Sequence, residues 1–248
     1  MSEPSGRARR LVVDTVRRGW FEAKTVVAQY PSLAIPIARR RHGFPVGDDT
    51  QIVIEGFPRT GTSFAVVAFD LANQGRVVVA CHVHAPAQVI EGARRGLPNL
   101  VVAREPEDTV VSFVIRNQHF SVPQALRGYL RFYEPLLRYR DRFVAATFEQ
   151  VTDDFGAVTR RVNERFGTSF AVFEHNEANE KRCFEIIDED YQKRVPQGEA
   201  LERQVARPSE WRNRMKEGVR ARFRATDASA LLSKAERAFR AFADAAGA

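Results

Sequence analysis

Apolar residues recur at helical spacing from Ala8 to Val27 with arginines between them, and Pro31 and Pro36 interrupt the pattern before Gly47-Asp48-Asp49. Ile52 to Glu55 then forms a short apolar run of the kind a buried strand needs, and Thr62 to Asn73 returns to helical spacing. The runs RVVVA (76–80), LVVA (100–103) and FVAAT (143–147) predict three further strands. Pro86 to Arg95, Pro106 to Asn117, Pro123 to Arg140 and Val151 to Phe166 predict helices between or after them. Strands that alternate with helices imply an α/β fold whose parallel sheet is covered by helices on both faces. From Glu177 the pattern is helical and irregular, and it ends in an amphipathic helix expected over Ala228 to Ala245.

A chain of 248 residues, 44% of them hydrophobic, can bury one substantial core. One domain is therefore expected, with a basic helical arm over 1–47, a core over 48–225 and a C-terminal helix over 226–248. No repeat, low-complexity tract or linker divides it. No stretch reaches the roughly 18 apolar residues of a membrane span. The N-terminus MSEPSGRARR runs into charge rather than into a signal-peptide apolar segment, so a cytoplasmic location is expected. Cys81 and Cys183 lie in no metal-binding or disulfide pattern.

The net charge of +7 favours anionic ligands without choosing among nucleic acid, a membrane surface and a small polyanion. Its distribution is uneven, with arginines crowding the first 41 residues and again the segment from Arg203 to Arg224.

The chemistry concentrates between the first strand and the helix after it, in Gly56-Phe57-Pro58-Arg59-Thr60-Gly61-Thr62-Ser63. This is nearly the P-loop G-x-x-x-x-G-K-[ST], but Thr62 stands where that motif has its lysine. In a strand-loop-helix turn the backbone N–H groups and the helix dipole favour an anion. Arg59, Thr60, Thr62 and Ser63 add side-chain donors. A glycine turn without a ligand is the plain alternative; the density of hydroxyls and the arginine favour a ligand.

Two further features accompany the loop. In VVAREPEDTVVSF (101–113) a strand ends in Arg104, Pro106 starts a helix, and Ser112 lies eight positions after the arginine, about two helical turns along. A strand-end arginine of a parallel sheet sits where ligands bind in open α/β folds, although pairing with Glu105, Glu107 or Asp108 would explain it as well. In ACHVHA (80–85), His82 and His84 follow another strand. A neutral histidine, of pKa about 6.5, suits a general base, and the bland reading is a packed or surface ring. No third histidine has the spacing of a metal ligand set.

Together these residues resemble the sulfotransferases that use 3′-phosphoadenosine 5′-phosphosulfate (PAPS). That family's P-[KR]-[ST]-G-[TS]-[TS] loop matches Pro58 to Ser63, with arginine at the basic position as in many bacterial members. Its R-x-x-x-D-x-x-x-S signature matches Arg104, Asp108 and Ser112. The resemblance implies a P-loop NTPase-like sheet with a helical C-terminal part. It places Arg59, Thr60, Gly61, Thr62 and Ser63 around the 5′-phosphosulfate, and Arg104 and Ser112 on the 3′-phosphate. The family's catalytic histidine lies in a K-T-H-x-P segment, and His82 has about the required separation from Arg104, with Ala80-Cys81 in place of Lys-Thr and His84 in place of the proline, so that the choice of His82 over His84 rests on spacing alone. Phe64 falls where an aromatic stacks on adenine, Phe148 on the family's Tyr-Glu-Asp strand end, and RPSEWRN (207–213) on a late G-D-W-[KR]-N segment, so that Arg207 or Arg203 would serve the 3′-phosphate.

The implied reaction is in-line transfer of a sulfuryl group from PAPS to a hydroxyl or amine, releasing 3′,5′-bisphosphoadenosine (PAP), with His82 as base, Arg59 stabilising the leaving phosphate, and no metal. The acceptor, whether small molecule, glycan or lipid, is not readable; Phe120 to Arg140, rich in aromatics, lines either a pocket or the core. Rival readings are a nucleotide-dependent kinase with a degenerate P-loop and a non-catalytic basic module for nucleic acid or anionic membrane. Under the sulfotransferase reading no nucleic-acid partner is expected, and a homo-oligomer is compatible with the chain. The N-terminal arm, with Trp20 and Phe21 among its arginines, reads first as a packed helix and second as a peripheral membrane contact.

Overall fold

The computed structural model describes residues 6–40, 43–195, 198–204, 210–225 and 227–248. Its centre is a four-stranded parallel sheet of β1 (Ile52–Gly56), β2 (Val79–Cys81), β3 (Asn99–Ala103) and β4 (Val144–Thr147), in the order β2-β1-β3-β4. The fold is α/β, with helices on both faces of the sheet. Val53 lies opposite Ala80 of β2, and Ile54 opposite Leu100 of β3. The chain runs from β1 outward to β2 and returns past β1 to β3, which opens a crevice beyond the ends of β1 and β3, where ligands bind in such sheets.

Side chains of a strand alternate between faces, and two cores result. Ile52, Ile54, Leu100, Val102, Val144 and Ala146 face α3 (Thr62–Asn73), α8 (Phe155–Phe166) and α9 (Glu177–Arg194). Val53, Val101, Ala103 and Ala145 face α4 (Pro86–Arg94), α5 (Pro106–Arg116), α6 (Val122–Tyr133) and α12 (Ser229–Ala246). α12 belongs to the core, since Phe242 stacks on Phe143 at 5.5 Å and meets Tyr133 edge-on at 5.0 Å.

The strand expected at 76–80 is shorter and later, because Gln74 and Gly75 take left-handed conformations after α3 and pairing with β1 starts only at Val79. The helix expected over Pro123 to Arg140 ends at Tyr133. Pro135 has no N–H to continue it, and a 3₁₀ segment follows over Glu134–Arg142. The helix expected over Val151 to Phe166 is two. Thr147 and Gln150 form a capping box that opens α7 (Phe148–Asp153) early, and Asp154 then caps α8 by accepting from Ala157 N–H.

Two helices precede the sheet, α1 (Gly6–Val27) and α2 (Pro31–Arg39). Phe21 of α1 packs between Phe113 and Phe120, over Gly128 of α6, where a Cβ would lie 2.7 Å from its ring. Glu22 pairs with Arg127 and Arg131, which hold its carboxyl below the usual range against the opposing effect of burial. No described helix is long and apolar enough to cross a membrane.

Candidate functional site

β1 leaves the sheet at Gly56, and the loop to α3 passes through left-handed φ at Arg59 (78°) and Gly61 (92°). Gly61, the N-cap of α3, has no side chain to accept from the first N–H groups of that helix. A Cβ at Gly61 would fall 2.9 Å from the Phe148 ring, so two constraints demand glycine. The loop is braced from below: Thr60 donates to Phe57 O (2.8 Å), Phe57 N–H donates to Tyr133 OH (3.3 Å), and that hydroxyl donates to Val102 O (2.7 Å). Thr60 and Thr62 are buried, whereas Arg59 and Ser63 keep partial exposure.

Arg59 reaches α5, donating from Nε to Ser112 Oγ at 3.0 Å and from Nη1 to Gln204 O at 3.1 Å. Gln204 ends α10 (Glu199–Gln204), and its side chain accepts from Arg116 Nε at 2.7 Å. Arg104, at the end of β3, lies with its guanidinium 4.0 Å over the Phe148 ring and donates to Asp108 Oδ2 at 3.4 Å. Asp108 also accepts from Arg220 of α11 (Glu210–Ala225) at 2.8 Å. The Nε of Arg104 is buried without a hydrogen-bond partner among the described residues. Burial draws this guanidinium below its ordinary value while Asp108 pulls it back; it stays cationic.

On the other side of β1 a buried carboxylate organises the histidine segment. Glu55 accepts from Val83 N–H (2.8 Å), His84 N–H (3.2 Å), Gln88 Nε2 (2.9 Å) and Gly56 N–H (3.3 Å). Burial nevertheless pushes its carboxyl up to about 8, the donors opposing the rise. Gln88 ties the network to Val46, whose N–H it accepts at 3.0 Å. Both His82 (φ 60°) and His84 (φ 52°) are left-handed, a conformation that costs non-glycine residues of order 1–3 kcal/mol and persists only where the surroundings impose it.

His84 Nδ1 lies 2.9 Å from Gly56 O. A carbonyl can only accept, so Nδ1 carries the proton and Nε2 the lone pair. Burial, with the fields of His82, Arg116 and Lys24, lowers the pKa of His84. Its ring keeps 27% of its surface exposed. His82 is likewise lowered, chiefly by burial.

The structure thus brings together Arg59, Gly61, Ser112, Arg104 and Phe148, with the two histidines across the loop. Phe64 does not join them: it is 4% exposed in the core against Phe173, His175 and Phe184, where stacking on a ligand would require those rings to move. Arg207 lies outside the described residues. The pairing of Arg104 with Asp108, anticipated as an alternative, exists but leaves Nε unused. Glu55, Gln88 and Gln204 are not among the residues the sequence singles out, and Tyr133, expected in a pocket wall or the core, braces the loop. Only Glu55 carried a signal, an acid inside the apolar run IVIEG. No cluster of potential metal ligands exists among the described residues.

No family model matches the chain, and no curated protein matches it. Among solved structures it is similar to the mouse sulfotransferase SULT7A1 complexed with PAP, with a TM-score of 0.40 and 12% identity over 77% of this chain and 90% of that one. At that distance the chemistry has to be read from the residues themselves.

Proposed function

We propose that the protein is a PAPS-dependent sulfotransferase. The observation that carries the reading is the 3.0 Å bond from Arg59 to Ser112, which joins two signatures 53 residues apart in sequence at one crevice. The Nε of Arg104, buried at the same crevice without a partner among the described residues, fits an anionic group, because an unsatisfied buried donor costs about 1–3 kcal/mol until something accepts from it. PAPS would supply an activated sulfuryl group there. The loop N–H groups, Arg59 and Ser63 would hold its 5′ end, and Arg104 and Ser112 its 3′-phosphate. Each donor aimed at the charge that grows on the leaving phosphate contributes about 3 kcal/mol in comparable oxyanion sites.

A histidine of the loop would take the acceptor proton. Spacing selects His82, but the hydrogen bond to Gly56 fixes the tautomer of His84 and leaves Nε2 as the basic atom. The segment His84-Ala85-Pro86 also fits the H-x-P part of the family pattern. We therefore favour His84 over His82 as the base.

The test is titration calorimetry with PAP, with 5′-AMP and ATP as controls, each with and without magnesium. Tight binding that needs the 3′-phosphate and no metal supports the reading. Preference for ATP with magnesium would instead indicate a kinase, against which Thr62 in the lysine position already argues.

A further inference from the structure

α1 turns one face to the protein and another to solvent. Phe21, Glu22 and Arg18 make the inner face, the last donating to His119 O at 2.6 Å. The outer face carries Val12, Val16 and Trp20 at four-residue spacing, so that they stack in one stripe, and they are 64%, 66% and 54% exposed. Ala23 falls within the stripe and Val13 beside it, and both are exposed as well. At 100° per residue Arg17 and Lys24 fall along one edge of it, both exposed. α2 repeats the pattern on a smaller scale, with Leu33 and Ile37 exposed one turn apart and Arg39 and Arg40 following.

Among the described residues of the outer face, Arg17 and Lys24 are basic and none is acidic, and Glu22 on the inner face is paired with Arg127 and Arg131. A two-fold contact between copies of this helix would therefore bring two positive faces together. A surface of anionic headgroups complements both the charge and the apolar stripe. An apolar stripe with a tryptophan, edged by cations, is the pattern of helices that lie in the membrane interface.

We propose that the outer face of α1 docks on an anionic lipid surface, with Val12, Val16 and Trp20 entering the headgroup boundary and Arg17 and Lys24 meeting lipid phosphates. The C-terminal end of α1 lies near the histidine segment. Ala87 N–H, at the start of α4, bonds to Ala28 O just beyond α1 at 3.0 Å, and Lys24 contributes to the field on His84. If the proposed function holds, the docked enzyme presents its histidine loop close to the lipid surface, which suits an amphiphilic acceptor. Docking itself does not depend on that function.

The test is co-sedimentation of the full chain, without nucleotide, with phosphatidylcholine vesicles that contain phosphatidylglycerol and with vesicles of phosphatidylcholine alone. Binding only to the anionic vesicles, weakened by salt, is expected. Val16→Glu with Trp20→Glu should lower the apparent affinity roughly tenfold or more, with circular dichroism and thermal midpoint unchanged. Arg17→Glu with Lys24→Glu, which spares the apolar stripe, should also lose binding. In a Trp211→Phe background, Trp20 emission should shift to the blue on binding. Absence of binding to anionic vesicles, or wild-type binding by both double variants, overturns the proposal. So does a solution dimer that both variants dissolve, which would make a second copy the occupant. Vesicle binding without any affinity for PAP would leave docking standing and remove the sulfotransferase reading.

Discussion

The two ends of the sheet both carry arginines, yet they differ in what those arginines do. Beyond the starts of β3 and β4 a cavity of about 1090 Å³ is lined by Arg140, Arg142, Arg161 and Arg165 together with acidic residues including Asp141 and Glu164. Arg161 there donates to Ala145 O and Gln150 Oε1, and Arg165 donates to Asp141 O. They satisfy carbonyls of the protein itself. At the opposite end Arg104 keeps a buried Nε without an acceptor, and the N-terminus of α3 adds N–H groups that no side chain caps. Cavity volume favours the first end; a buried donor without a partner among the described residues favours the second. An anion is recognised by direction, because backbone donors and a helix dipole add to charge only where they converge.

The largest expected effect tests the chemistry at the favoured end. His84→Ala should lower turnover by roughly 10²–10⁴-fold, the range of a general base, while affinity for PAP stays near wild type. His82→Ala should cost much less. The reverse order in steady-state kinetics would return the role to His82.

The next effect sets the two ends against each other. Arg104→Ala should weaken PAP binding by roughly ten- to a hundredfold, as expected for losing about 1.5–3 kcal/mol of charged hydrogen bonds. Arg165→Ala, in the larger cavity, should leave the calorimetric affinity unchanged. Equal losses from the two variants would break the comparison.

The strands and the glycine loop were legible in the sequence because both are local. Apolar runs reveal β1, β3 and β4, and α3 was bounded at Thr62 and Asn73 as observed. Arg59, Arg104 and Ser112 were legible as motif residues, but their meeting was not, since the bond from Arg59 to Ser112 depends on β3 pairing beside β1. Phe64 misled because its place in the motif says nothing of Phe173 and Phe184, which arrive from more than a hundred residues away to cover it. The tautomer of His84 was also illegible, because it depends on which ring nitrogen reaches Gly56 O. The break of the helix at Pro135 was readable in principle, and aromatic periodicity across it obscured the proline.

The smallest effect on activity is expected from Glu55, which acts on the histidine loop from behind. Glu55→Gln keeps one oxygen for the N–H groups of Val83 and His84 and loses the other, so turnover should fall roughly two- to tenfold, the worth of about one hydrogen bond, with affinity for PAP retained. Its signature lies in stability against pH. The folded carboxyl is raised from an ordinary 4.5 to about 8, so between those values the folded chain holds a proton that the unfolded chain has lost. Unfolding then releases a proton, and the contribution of Glu55 to stability falls as pH rises from about 4.5 to about 8 and is level above that. Glu55→Gln has no such slope, so the thermal midpoint of wild type minus that of the variant should decline with pH and flatten above about 8. A difference that grows with pH instead would mean that the four N–H donors outweigh burial and hold Glu55 as an anion. The histidine loop would then be pinned by a negative charge, whereas the end of β3 carries the positive charge of Arg104.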